Sequence, residues 1–288
     1  MKVAIAVFFV CASVLLAGSD TLYVENDVFC NRDYDYTHGT KLTHEVGDGW
    51  YAYLWQGIYT PKDKESLSVV PGDRPYAGWL SIGAEKRYQW KGAYHVTEAS
   101  AGVVGPLSFS EQSQTVVHEL IDDFVPAGWD NQLKNEPAVM LRHEARVAIP
   151  IFGIPSDLLG AYVVPQAEVV VGTVMDYVGV GGDLVFGIHP DPYFDNQISV
   201  RAPGRKWGLF AFAGVRGRAV AWNMLLDGNM WHDSTSVDSE LLVADLQYGV
   251  CFRVPQLSLS WTQIERSKEF STQDGSEKFN AVTLSIMY

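Results

Sequence analysis

The chain has 288 residues, of which 47% are hydrophobic and 12% aromatic, so it can bury a substantial core and is not a disordered polymer. It carries 34 acidic and 21 basic side chains, a formal net charge of −13. This charge argues against nucleic acid as a partner, because phosphate backbones require a basic surface. The mean hydropathy of −0.01 fits either a soluble β-rich protein or a membrane β-barrel, whose alternating strands average to near-neutral hydropathy.

The N-terminus has the pattern of a secretory signal peptide. A positive start precedes the apolar run Val3–Leu16, and small residues follow up to Ser19. A buried N-terminal strand or anchor helix is the alternative, but the run is shorter than a bilayer span and polar residues follow at once. We therefore expect residues 1–19 to be a signal peptide cleaved near Ser19, and residues 20–288 to form one domain.

Cysteine usage excludes a disulfide scaffold. Cys11 lies in the predicted signal peptide, so the mature chain keeps Cys30 and Cys251. Two cysteines allow one disulfide bond, but the sequence does not require it, and their spacing is not that of a metal site.

Alternation of apolar and polar residues dominates the rest of the chain. It is clear in Val139–Ile149, Val163–Val171 and Leu246–Val254. A soluble β-sandwich would also alternate, with its polar face in water. These windows, however, approach the length of a tilted transmembrane strand, and the sequence ends in alternation on Tyr288, as outer-membrane barrels commonly do. We therefore predict an all-β protein, a transmembrane antiparallel β-barrel of about 12 strands in the bacterial outer membrane. Its lumen would be filled by a charged network that includes Arg142, Glu144, Arg146, Glu168 and Asp245.

The longest predicted loop, Pro106–Glu136, is the main candidate for a functional element. With both chain ends on the periplasmic side, strand parity places this loop at the outer rim. Its interior has helical spacing, which predicts a short helix in a long extracellular loop. Gln114 and His118 are four residues apart and share one side of that helix. Its apolar face consists of Val116, Val117, Leu120 and Ile121. We expect the helix to hold His118 above the barrel mouth.

Oxygen-bearing residues at the first strand end suggest a metal site. Asp27 lies within chain reach of Thr37, and a carboxylate beside amide and hydroxyl oxygens is what a hard cation such as calcium selects. The sequence contains no G-x-S-x-G motif that would mark a serine nucleophile. His118 could instead activate water while a metal stabilises the developing oxyanion. The alternatives are that Asp27 only forms a turn and that His118 is an ordinary surface histidine.

Six motifs, in order and spacing, resemble the outer-membrane lipid A 3'-O-deacylase family. They are E-N-D at Glu25–Asp27, Y-T-H-G at Tyr36–Gly39, Y-T-P at Tyr59–Pro61, G-D-R-P-Y-A-G at Gly72–Gly78, Q-x-x-x-H at Gln114–His118 and G-W-D-N-Q-L-K-N-E at Gly128–Glu136. The resemblance implies a barrel that removes the 3'-linked acyloxyacyl chain from lipid A, with Ca2+ as cofactor. Its partners would be lipid A, or lipopolysaccharide, and the outer membrane. The oligomeric state stays open, with a monomer expected.

The resemblance also implies roles for individual residues. His118 would be the general base that activates water, with Gln114 beside it. Asp27 would be a calcium ligand, and Asn26 and Thr37 would line the same site.

Two positions match the family less directly. A family lysine falls on Lys64 in one alignment and on Lys62 in another that is nearly as good, and it would meet the oxyanion or an anionic headgroup. Independently of the alignment, the positive charges of Arg74 and the loop lysines would bind the phosphorylated substrate. A family tyrosine falls on Pro126, and Phe124 is the nearest aromatic residue.

Two other functions remain open from the sequence. One is another outer-membrane lipid esterase or a phospholipase, which would differ in the ester that it cleaves. The other is a non-enzymatic structural or channel barrel.

Overall fold

The computed structural model describes residues 19–26, 35–152, 158–194 and 207–287. Thirteen antiparallel strands form one sheet: β1 Ser19–Asn26, β2 Asp35–Gly47, β3 Trp50–Thr60, β4 Ala77–Trp90, β5 Ala93–Val104, β6 Glu136–Arg146, β7 Ile149–Phe152, β8 Leu159–Gly172, β9 Met175–Ile188, β10 Gly208–Asn223, β11 Leu242–Val254, β12 Leu257–Arg266 and β13 Glu277–Met287. The helices are α1 Ser110–Ile121 and α2 Met224–Asp227, with 3-10 turns at Pro106–Ser108 and Trp129–Asn131. None of the helices in these ranges is long and apolar enough to cross a membrane. The signal peptide before Ser19, and the residues Asp27, Cys30 and Tyr288, lie outside the described residues.

The sheet closes into a barrel with twelve strand positions. β1 pairs with both β2 and β13, and β6 pairs with both β5 and β8. The short β7 continues the pairing of β6 with β8 in the same register. β6 and β7 therefore occupy one strand position of the barrel. The sequence predicted one strand over Pro137–Ile149. In the structure this strand is interrupted after Arg146. Pro165, opposite Val147, accepts a hydrogen bond from the Val147 N–H, but proline has no N–H to donate to the Val147 carbonyl.

Charged side chains fill the middle of the lumen. Glu144 accepts hydrogen bonds from Arg142 and from Arg146, and Arg142 also donates to Glu168 over 3.2 Å. Asp245 forms ion pairs with arginines of β10 and β12. These contacts confirm the predicted lumen network.

Apolar clusters occupy both ends of the lumen. At the outer end, Tyr36 and Tyr59 pack with Leu133 from the long loop. At the periplasmic end, the Phe194 ring packs against Phe210 and Phe212, in a cluster that also contains Cys251, Tyr162, Val164 and Val185. The lumen is therefore packed with side chains at both ends and between them, which argues against a role as a channel.

The long loops meet at one rim of the barrel, as strand parity predicted. The Lys62 ammonium is 3.0 Å from Asp274 in the loop between β12 and β13. The Asn229 amide, after α2, donates to the Lys134 carbonyl over 2.9 Å. Backbone hydrogen bonds from Ala127 to Lys64 and from Glu240 to Glu269 connect these two pairs of loops. The loops after β3, β5, β10 and β12 therefore form a continuous outer rim.

Candidate functional site

The helix α1 lies against the outside of the barrel wall and not above the barrel mouth as expected. On β3, the exposed residues Trp50, Ala52 and Leu54 mark the outward side. Ile58 has the same parity, but it is only 3% exposed because Tyr76 and Trp129 pack over it. The long loop, through Trp129, and the loop after β3, through Tyr76, therefore cover the outward face of the barrel next to the outer rim.

Ser110, the first residue of α1, and Ser108, in the 3-10 turn before it, anchor the helix to this wall. The hydroxyl of Ser110 donates to the carbonyl of Gly57 over 3.2 Å, and the Gln56 amide donates to the carbonyl of Ser108 over 2.8 Å. A Cβ atom at Gly78 would lie 2.1 Å from the Ser108 hydroxyl oxygen. Only glycine at this position allows the loop to approach β4 so closely.

The buried stripe of α1 is polar. Ser110, Gln114 and His118 are buried, whereas Val116 and Leu120 are 54% and 65% exposed. A helix at a water interface would bury its apolar face. Because α1 lies at the outer end of a wall that faces lipid, its apolar side can meet the membrane while its polar side faces the barrel.

The imidazole of His118 is held in one tautomer. After α1 the chain turns back through Asp122, which has a positive φ of 58°, and this brings the Phe124 carbonyl to Nδ1 of His118. A carbonyl oxygen can only accept, so Nδ1 carries a proton, and in the neutral imidazole the lone pair lies on Nε2. Within the described part of the chain this is the only hydrogen bond of the His118 side chain. Nε2 is therefore available to accept a proton.

A hydrogen bond to its oxygen also fixes the orientation of the Gln114 side-chain amide. The indole Nε1 of Trp129 is 2.8 Å from Oε1 of Gln114. Because an indole N–H can only donate, Oε1 is the accepting atom and Nε2 the donating one. Nε2 is buried and has no hydrogen-bond partner among the described residues. A buried donor without an acceptor is costly, and it indicates a place where the oxygen of a ligand binds.

Asn26 and α1 meet the same strip of the outer wall. Asn26 is paired with His38, His38 with Ile58, and Ile58 with Gly78, so these four residues form one row across β1–β4. At about 4.8 Å per strand the row is roughly 14 Å long. Asn26 lies at one end of the row, and α1 covers the other end at Gly78.

A β-bulge turns Thr37 toward this strip. The β2–β3 register shifts between Tyr36 and His38, which leaves Thr37 as the extra residue. Its hydroxyl is 2.7 Å from that of Thr60, and the Asn26 amide donates to the Thr37 carbonyl over 3.3 Å. Bulges often re-aim side chains next to active sites. Asn26 and Thr37 are therefore brought together, as the resemblance implied.

The two lysines of the loop after β3 have different surroundings. The carbonyl of Lys64 accepts from the backbone N–H of Ala127, close to the segment that holds His118, and the Lys64 ammonium nitrogen is buried. Lys62 is half exposed and pairs with Asp274, whose pKa it lowers through a hydrogen bond and its positive charge. Of the two alignments, the geometry therefore favours Lys64 as the lysine of the site.

Arg74 is placed away from the outer surface. It is 2% exposed, its guanidinium lies 4.8 Å from the ring centroid of Tyr59, and it is 3.7 Å from Glu269. Tyr59 belongs to the apolar cluster at the outer end of the lumen. This placement favours a role in fastening loops, and headgroup binding by Arg74 stays a prediction.

The chemistry of the donor atoms near Asn26 is compatible with calcium. The hydroxyl and carbonyl oxygens of Thr37, the hydroxyl of Thr60 and the amide oxygen of Asn26 are hard donors. Asp27, the predicted carboxylate ligand, lies outside the described residues. Among the residues that the structure describes, no three His, Cys, Asp or Glu side chains are grouped to hold a metal.

Three residues of the site were given no role from their own side chains or backbone in the sequence analysis, although Phe124 was named there as the aromatic residue nearest to Pro126. Trp129 orients Gln114, Phe124 supplies the carbonyl for His118, and His38 lies 3.5 Å from the Asn26 amide nitrogen. Trp129 and His38 fall inside the quoted motifs, so their signal was present. Phe124 contributes its backbone carbonyl, so its residue type gives no signal of this role in the sequence. Pro126, where the family has a tyrosine, is buried.

Fold and site together define an outer-membrane β-barrel with a polar site on its outward wall. A family model described as outer membrane protein LpxR matches residues 3–288, so the chain belongs to the LpxR family. The structure is similar to LpxR from Salmonella typhimurium, with a TM-score of 0.81 and 21% identity over 94% of this chain and 100% of that chain. It also matches the β domain of the Bordetella autotransporter BrkA, with a TM-score of 0.45 and 14% identity over 95% and 100% of the two chains. No curated protein sequence matches significantly. The family resemblance and the predicted fold are confirmed.

Proposed function

We propose that the protein is a lipid A 3'-O-deacylase, which hydrolyses the ester of the 3'-linked acyloxyacyl chain. The observation that carries the proposal is the pairing of two residues on one face of α1: His118, whose Nδ1 is held by the Phe124 carbonyl, and Gln114, whose buried amide N–H2 has no partner among the described residues. The first is the arrangement of a general base and the second that of a donor to an oxyanion. Membership of the LpxR family supports lipid A as the substrate.

The reaction follows from these two groups. Nε2 of His118 takes a proton from water while the water oxygen attacks the ester carbonyl carbon. The Phe124 carbonyl keeps the imidazole in position and stabilises the imidazolium. The Gln114 amide donates to the carbonyl oxygen as negative charge develops there. The imidazolium then returns the proton to the departing sugar oxygen as the carbon–oxygen bond breaks.

The position of the site supports a substrate that arrives through the membrane. The polar stripe of α1 lies against the outward wall of β3 and β4, and Val116 and Leu120 are exposed on the other side. Lipid A lies in the outer leaflet, next to this rim. An ester in that leaflet can reach His118 laterally without leaving the lipid.

Calcium is the proposed cofactor. Asp27, Asn26 and Thr37 would hold it, and a bound ion would supply positive charge for the oxyanion. The oxygen donors of Asn26 and Thr37 support this assignment, as does the hydrogen bond between the two residues.

Mass spectrometry of lipid A from cells that express the protein tests the proposal. Wild type should remove the 3'-linked chain in calcium, chelation should abolish the removal, and His118→Ala should leave lipid A intact. Unmodified lipid A with folded wild-type protein in calcium would overturn the proposal. Released phospholipid acyl chains would identify another lipid esterase instead.

Asp27→Ala tests the calcium assignment. The variant should need more calcium for half-maximal activity, or lose activity, while it still migrates as a heat-modifiable folded barrel. Lys62→Ala serves as the control at the same rim. An Asp27→Ala protein with an unchanged calcium requirement would exclude Asp27 as a ligand.

A further inference from the structure

The outward wall contains an open depression on the periplasmic side of the candidate site. It has a volume of about 700 Å³, and its lining includes Leu42, Leu54, Ile82, Ala52, Ala99 and Ala101. It lies on β2–β5, between the row that contains His38, Ile58 and Gly78 and the periplasmic end of these strands.

Short side chains create this depression. Ala52 is paired with Ala84, and Ala84 with Ala99, so three alanines follow one another across β3, β4 and β5. All three are exposed on the outward face. In the next row toward the rim the larger Leu54 and Ile82 are 44% and 66% exposed and form its border.

The alanine row lies at about the depth in the membrane at which the acyl chain of a bound lipid would end. Six residues of β3 separate Ile58 from Ala52, which is about 20 Å along the strand. A strand tilt of about 40° reduces this to roughly 15 Å along the membrane normal. That is half of the hydrocarbon core, which is about 30 Å thick. A lipid whose ester lies at the level of the Ile58 row would have the methyl ends of its chains near this row.

Polar and aromatic groups border the depression beside the alanine row and in the row below it. The ammonium of Lys86 lies 5.2 Å from the ring centroid of Trp50, in the row below Ala52 and Ala84. Next to Ala52 in its own row, His44 pairs with Asp20 over 2.7 Å. A longer hydrocarbon chain would meet these groups, so the apolar surface has a definite end.

From this geometry we infer that the alanine depression receives the terminal part of the acyl chain of the substrate and sets the chain length that is accepted. The inference rests on the proposed function. Its occupant is one acyl chain of the lipid bound at His118, held against a lipid-facing wall that is continuous with the membrane. The last methylene groups would contact Ala52 and Ala99, which line the depression.

The test is to fill the depression. Ala52→Phe and Ala99→Phe each place a ring on its floor, and both positions face lipid, so the barrel should still fold. Ala211→Phe is the matched control, because Ala211 is a lipid-facing alanine of β10 flanked by Phe186 and Val250. Each purified protein, reconstituted with calcium, receives two lipid A preparations that carry a shorter or a longer 3'-linked chain.

We expect Ala52→Phe and Ala99→Phe to lower kcat/KM for the longer chain about tenfold relative to the shorter one, whereas Ala211→Phe keeps the wild-type ratio. Folded Ala52→Phe and Ala99→Phe proteins with the wild-type ratio would overturn the inference and show that the depression holds only bulk lipid. Wild-type protein that releases neither chain would overturn the proposed function itself, and the inference with it.

Discussion

Nδ1 of His118 is hydrogen-bonded to the backbone carbonyl of Phe124, six residues further along the chain. The contact depends on the sharp turn that follows α1, and it determines which imidazole nitrogen faces the site with a lone pair. The carbonyl belongs to the backbone, so the contact does not use the side chain of Phe124.

His118→Asn tests the basic nitrogen of His118 separately from its hydrogen bond to the Phe124 carbonyl. The asparagine amide can still donate to the Phe124 carbonyl, but it has no basic nitrogen. We expect acyl release to fall about 10²-fold to 10⁴-fold, with heat-modifiable migration unchanged, as measured by lipid A mass spectrometry and gel electrophoresis. Wild-type activity in this variant would mean that His118 is not the base.

Gln114→Glu tests the amide donor. The carboxylate keeps the size of the side chain and still accepts from the Trp129 indole, but it cannot donate to an oxyanion. We expect kcat to fall about 10²-fold, since loss of one oxyanion donor has this effect in other enzymes. Trp129→Phe is the companion variant, with a smaller loss, because Gln114 stays present but is no longer oriented. Equal activity of Gln114→Glu and wild type would assign Gln114 a structural role.

Lys64→Ala and Lys62→Ala test which lysine belongs to the site. The Lys64 backbone is bonded to Ala127, beside the segment that holds His118, whereas Lys62 pairs with Asp274. We expect Lys64→Ala to lower kcat/KM on lipid A and Lys62→Ala to leave it close to wild type. The reverse order of the two variants would favour the other alignment of this loop.

Leu120→Asp tests whether the apolar side of α1 meets the membrane. Leu120 is 65% exposed, so the change should cost little stability, but it places a charge where the helix contacts lipid. We expect acyl release from lipid A in vesicles to fall several-fold, while Glu119→Gln on the same helix has no effect. Unchanged rates for both variants would place this side of α1 in water.

Glu144→Ala tests the lumen network. Glu144 is 2% exposed and accepts from Arg142 and Arg146, so its removal leaves buried positive charge uncompensated. We expect the free energy of unfolding in urea, measured in vesicles, to fall by about 3–5 kcal/mol. Activity per folded molecule should be unchanged. A variant as stable as wild type would show that water readily replaces the carboxylate.

Much of the fold was predictable because strand alternation is a local property. The outward face of β6 alternates with Arg142, Glu144 and Arg146 in the sequence itself, so a lipid-facing wall and a charged lumen follow without knowledge of partners. The break before β7 was not predictable from Pro137–Ile149 alone. It depends on Pro165, a residue of the opposite strand.

The candidate site was predictable as a set of residues but not as an arrangement. The motifs named His118, Gln114, Asn26 and Thr37, and the structure unites His118 and Gln114 on α1 and Asn26 with Thr37 on the barrel wall. Arg74 belongs to a quoted motif, yet it is buried beside Tyr59 at the lumen end. Motif membership does not reveal the direction of a side chain.

The sequence by itself determined the alternation, the barrel and the family, because each depends on residues that are near one another in the chain or on motifs read in order. Only the tertiary structure decided that α1 turns Gln114 and His118 toward the wall and leaves Val116 and Leu120 exposed. The spacing of a helix reveals its two faces but not the solvent that each will meet. Here the barrel wall faces lipid, so the polar face of α1 is the one that is buried.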